Sequence, residues 1–173
     1  TVDPFANAQD ERSGLEKFLD KLPGIKGYRQ KEMRRDADKQ LRETLADRLE
    51  VRRAKLTRLQ NDLLESGGLQ WLDDVERVVG RLQLFIDRVR TASYGYAPLF
   101  SLEKVDETDL DRLAVFDQDL YEQIPPLDEA LGQLEAAAQS NTGVKEALKA
   151  VGDLVAGLNE TFNRRADVIK NIA

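Results

Sequence analysis

Apolar residues recur along this chain at spacings of three and four, with charged residues between them. That is the pattern of helices that bury one face. The longest stripe is Met33, Ala37, Leu41, Leu45, Leu49, Leu56, Leu59 and Leu63, and it predicts a helix over 29–66. Gly67-Gly68 ends it, as glycine does just past a helix C-terminus. A second stripe (Leu72, Val75, Val79, Leu82, Ile86, Val89), widened by Trp71, Val78 and Phe85, predicts a helix over 69–93 that packs on more than one side. The pattern breaks at 94–105 and resumes with Leu110, Leu113, Phe116, Leu120, Ile124, Leu127, Leu131 and Leu134. These predict a helix over 107–139, kinked at Pro125-Pro126 because its apolar phase continues across the prolines. Ala147, Leu148, Val151, Val155, Leu158, Phe162 and Ile169 mark a last helix over 142–172.

Ahead of these, Leu15, Phe18, Leu19 and Leu22 give a short amphipathic helix over 11–22, stopped by Pro23-Gly24. Residues 1–10 read as a disordered or loosely docked tail, and 11–173 as a single helical domain. Long helices joined by short connections imply antiparallel neighbours. The expected fold is therefore all-α, an up-down-up-down four-helix bundle with long helices and a short extra N-terminal helix.

Composition narrows the chemistry. The 173 residues contain no cysteine and no histidine. Thiol nucleophiles, zinc–thiolate sites, imidazole bases and the Glu-x-x-His di-iron bundle are excluded. A carboxylate-only site for a divalent cation inside the bundle is the one metal chemistry left open. No nucleophile–base pair and no Gly-rich phosphate loop is present, so no cofactor is expected. No apolar run is long enough to cross a membrane. Residues 1–13 have neither the basic start nor the apolar stretch of a signal peptide. The expected location is cytoplasmic.

Several segments, LPGIKGY at 22–28, KEMRRDADKQLRE at 31–43, FIDRVRTASYGYAPLF at 85–100 and LNETFNRR at 158–165, resemble an uncharacterised family of bacterial cytoplasmic all-helical proteins. The resemblance spans most of the chain after residue 20. It implies a bacterial helical domain, and carries no activity, cofactor or catalytic residue with it.

Charge is segregated. Residues 21–58 hold 13 Lys and Arg against 6 Asp and Glu, whereas residues 101–173 hold 7 against 15. The basic helix 26–58, with Arg29, Lys31, Arg34, Arg35 and Arg42, offers a surface for nucleic acid or another polyanion. The overall charge of −6 argues against that. The alternative is that the basic helix lies against the acidic half within one bundle, or pairs along itself, as at Lys39/Glu43. The acidic run Glu103, Asp106, Glu107, Asp109, Asp111 lacks the central glycine of a calcium loop and reads as helix-start acids.

Two constellations remain. Tyr94, Tyr96 and Phe100 crowd one connection, and the first long helix outruns its hairpin partner over 29–41. The expected corner of Phe18, Met33, Tyr94, Tyr96 and Phe100 beside Arg29 and Arg34 is a candidate protein-binding site, with a lid over the core as its alternative. Arg52, Asp117 and Arg165 each sit on an apolar stripe. Helix rise places all three near one height, which predicts a buried Arg–Asp–Arg cluster; the competing expectation is three edge residues reaching water. Function by this route is a non-enzymatic interaction or scaffolding module acting through protein–protein surfaces, with a second copy of the chain among its candidate partners.

Overall fold

A computed structural model describes residues 31–91 and 107–172, and side chains for 39–91, 112 and 115–167. It is all-α, with no strand among the described residues. Helix α1 is Lys31–Glu65, and α2 is Leu72–Thr91, entered through a 3-10 turn, Leu69–Trp71. Helix α3 is Glu107–Glu122, α4 is Ile124–Ser140, and α5 is Val144–Ile172. The predicted helix at 11–22 and the connection at 94–105 lie outside the described residues.

Both tight turns are made by local chemistry. Gly67 takes φ +83°, open to glycine and costly for other residues. The amide of Gly68 then donates back to the carbonyl of Leu63 at 2.7 Å, closing the end of α1. At the end of α4 the same device uses Asn141 at φ 50°, and the amide of Thr142 donates to Ala137 at 3.2 Å.

The proline pair lies differently from the expected kink. Helix α3 ends at Glu122, Gln123 stands between, and Pro125 and Pro126 occupy the second and third positions of a new helix. There a missing N–H removes no bond from the helix it begins. Apolar phase carries across because Gln123 stays near helical geometry, φ −80° and ψ −11°. Helices α3 and α4 therefore form one rod with a break.

The rods make a four-sided bundle. Helix α1 packs on α2 and on the α3–α4 rod; α5 packs on α2 and on the same rod. Chain direction alternates along the sequence, but neighbours are antiparallel on two sides only. Arg52 meets Asp128 and Lys55 meets Glu135, so α1 and α4 run parallel. Phe85 meets Phe162, and Val78 lies nearest Gly152, so α2 and α5 run parallel as well. Helices α2 and α3 consecutively occupy opposite corners. The core runs the length of the bundle through Leu45, Leu49, Leu56, Leu63, Leu82, Ile86, Leu127, Leu131, Leu134, Val151, Val155 and Leu158. Each such side chain contributes about 1.5–3 kcal/mol by leaving water.

Arg42 reaches the last turn of α2. Residues 31–41 of α1 thus continue past the end of α2, by about 16 Å at 1.5 Å per residue. Helix α3 runs beside that extension, since Tyr121 bonds to Leu41.

Candidate functional site

Among the described residues, the polar and charged ones buried in this bundle are Arg42, Asp117, Thr161 and Arg165. Three of them, with Tyr121 and Phe162, form a girdle around the bundle at the level where α2 ends. A charge in an apolar interior costs several kcal/mol unless it is paired, and each of these is held by a neighbouring helix.

The girdle starts at α2. Arg42 of α1 donates from Nη1 to the carbonyl of Val89 at 3.2 Å. That carbonyl lies in the last turn of α2, where the helix dipole favours a cation. Tyr121 of α3 donates its hydroxyl to the carbonyl of Leu41 at 3.1 Å, tying α3 to α1. Burial pushes the Tyr121 pKa above its ordinary value, opposed by a hydrogen bond from Thr44 and the charge of Arg48. The Arg48 guanidinium stands 5.2 Å from the Tyr121 ring centre.

One helical turn from Tyr121, Asp117 accepts from Nε of Arg165 at 2.9 Å, which ties α3 to α5. Arg165 has only 1% of its surface exposed, and Asp117 2%. The Arg165 guanidinium lies 6.0 Å from the Phe162 ring centre and that of Arg88 lies 5.1 Å from it. Phe85 of α2 meets the same ring edge-on at 5.8 Å and 89°. Arg88 is fixed by Asn159 at 2.9 Å and Asn163 at 2.6 Å. From Val89 round to Phe85, the circuit returns to α2. Just below it, Gln123 donates to the hydroxyl of Thr161 at 3.1 Å, pinning the helix break to α5.

Of the expected cluster, Asp117 and Arg165 are brought together and Arg52 is not. Arg52 grips Asp128 of α4 with both ends of its guanidinium, at 2.8 and 2.6 Å, in a partly exposed position. The error lies in the reference height. An equal height for Asp117 and Arg52 requires α3 to start where α2 stops, but α3 starts beyond it. Counted from the two turns, which share one end of the bundle, Arg52 is about 15 residues up; the matching position on the rod is about 126, next to Asp128. Asp117 and Arg165 lie about equally far from the turn that joins α4 to α5, and they meet. Gln83 of α2 donates to Asp87 of the same helix at 3.0 Å.

Phe18, Arg29, Tyr94, Tyr96 and Phe100 lie outside the described residues. Met33 and Arg34 are on α1, where side chains are not described. The start of the acidic run at Glu103 and Asp106 is likewise outside; Glu107, Asp109 and Asp111 open α3.

Much of the described basic charge of α1 is engaged within the bundle. Arg42 is buried, Arg52 holds Asp128, and Lys55 holds Glu135 at 3.0 Å. Arg53 pairs with Glu50, and Lys39 stands 4.0 Å from Glu43. The acidic half of the chain thus lies against the basic helix, as the alternative to polyanion binding requires.

Among the described residues, no group of three acidic side chains is placed to hold a metal ion, and no helix is long and apolar enough to cross a membrane. The described residues define an all-α four-rod bundle locked at one level by buried polar contacts. Compared with protein-family models, curated proteins and solved structures, the chain matches none.

Proposed function

We propose that this chain is a non-enzymatic interaction or scaffolding module that works through its outer helix faces. The setting proposed is a bacterial cytoplasm, and the partner a protein, with a second copy of the chain as one candidate. The observation that carries this reading is the girdle. Its buried polar side chains are committed to neighbouring helices, where they fix register and choice of neighbour more than they add stability. While α3 is closed, a bundle so locked presents its outer faces in a constant arrangement, which favours binding without an ordering cost.

The test uses the outward positions Val51 and Leu84, exposed by 62% and 61% on α1 and α2. In-cell crosslinking and light scattering would compare the native chain with Val51→Glu/Leu84→Glu. A stoichiometric protein adduct or self-assembly, weakened in the variant, supports the proposal. A chain that is monomeric and recovers no stoichiometric protein overturns it, as does an adduct indifferent to both changes and to charge reversal at Arg58 and Arg81 on the same two helices.

A further inference from the structure

The break at Gln123 has chemistry on both sides of it. In a continuous helix the carbonyls of Tyr121 and Glu122 would accept from the amides four residues on. Those residues are Pro125 and Pro126, which have no N–H. Across the junction the backbone is held by the amide of Gln123 on Leu120 at 3.3 Å, and Leu127 resumes the helical ladder on Gln123 at 3.2 Å. The Gln123 side chain bridges the gap, donating to the carbonyl of Asp119 at 3.3 Å and to Thr161 at 3.1 Å.

The two sides of the break are anchored differently. Helix α4 packs into the four-sided part with Ile124, Leu127, Ala130, Leu131, Leu134, Ala137 and Ala138 all buried. Helix α3 lies alongside α1 and α5, where α2 has run out. Its ties there include the buried Asp117–Arg165 pair and the Tyr121 bond to Leu41, with Arg48 against the Tyr121 ring and Leu120 buried between Asp117 and Tyr121 in sequence.

We infer that α3 is a hinged segment, opening as a unit about Gln123 while α4 and the rest of the four-sided bundle stay closed, with the Asp117–Arg165 pair as its latch. Local units of this kind open with less free energy than the whole fold. The prolines uncouple the two helices, and the latch is the buried ion pair among the ties that close α3. Opening uncovers the surfaces of α1 and α5 that α3 covers. This stands on the geometry alone and does not depend on the interaction reading above.

Native-state hydrogen exchange read by mass spectrometry on the full chain tests it. Peptides within 107–122 should exchange together, at least about tenfold faster than those of Leu127–Ser140 and of 75–89. Asp117→Asn should speed exchange of 107–122 by a further factor of about ten or more, and those peptides should still exchange ahead of Leu127–Ser140. Pro125→Ala/Pro126→Ala restores two donors, and should slow exchange of 107–122 toward that of α4. Equal exchange of α3 and α4 in the native chain overturns the proposal. So does an Asp117→Asn variant in which 107–122 no longer exchanges ahead of the other helices, or a proline variant in which α3 still opens alone. The proline variant keeps the test decisive if Asp117→Asn does not fold.

Discussion

Arg165 donates from Nε to Oδ1 of Asp117 across 2.9 Å, and the two side chains are almost entirely removed from water. Each lies on the apolar stripe of its own helix, about equally far from the turn that joins the α3–α4 rod to α5. Losing one partner leaves the other charge buried. Asp117→Asn or Arg165→Met should therefore each cost about 3–5 kcal/mol of unfolding free energy. A double-mutant cycle in urea should give a coupling well above about 0.5 kcal/mol; additivity within that margin would show that the pair does not interact.

Arg52 and Asp128 provide the contrast. Their pairing is bidentate, yet half of the Asp128 side chain is exposed. Asp128→Asn should cost only about 0.2–1 kcal/mol, and less as salt is raised. Arg52→Met combined with Asp117→Asn should be additive within about 0.5 kcal/mol. Strong coupling between those two would restore the three-membered cluster that the geometry excludes.

Apolar periodicity made the helices and most of the core legible, because the stripe Leu41, Leu45, Leu49, Leu56, Leu59, Leu63 is buried as written. It also marked Asp117 and Arg165, since a charged residue in phase with a stripe needs a partner. Arg42 and Tyr121 carry a similar signal: Arg42 is in phase with Leu45 and Leu49, and Tyr121 lies one turn after Asp117. They were missed because neighbouring leucines already accounted for the face. Heights could not be carried across 92–106, since nothing in periodicity says where the next helix starts relative to the last. Parallel neighbours were not legible for the same reason.

Tyr121 should make stability depend on alkaline pH. Burial raises its pKa above the ordinary 10.0. The folded state then favours the neutral phenol, so this contribution is complete below about pH 10 and is lost as pH rises through the higher folded value. Tyr121→Phe should cost about 0.5–1.5 kcal/mol at neutral pH. Between pH 9 and 12 its unfolding free energy should fall less steeply than that of the native chain. Parallel curves in denaturant titrations would remove the phenol from the account.

Two glycines should respond to alanine with opposite sign. Gly67 sits at φ +83°, where a Cβ costs about 1–2 kcal/mol. Gly132 lies inside α4 with nothing within 4 Å of the place its Cβ would take. Gly132→Ala should stabilise by about 0.5–1 kcal/mol. At the next turn position, Gly68→Ala would set a Cβ 2.8 Å from Leu63 Cδ2 and 3.2 Å from the Leu63 carbonyl, so it too should destabilise. Thermal unfolding of the three variants checks all three signs.

Because α2 and α3 stand at opposite corners, the bundle is two hairpin halves laid side by side, 31–91 and 107–172. Within each half, contacts join residues close in sequence, which is the arrangement that forms fast. Docking the halves is the one long-range step, and the girdle's bonds from Tyr121 to Leu41 and from Phe162 to Phe85 are made in it. The halves need no covalent link to find their register. Two polypeptides cut between Thr91 and Glu107 carry between them all the contacts described above, and fragment complementation is accordingly open to this fold.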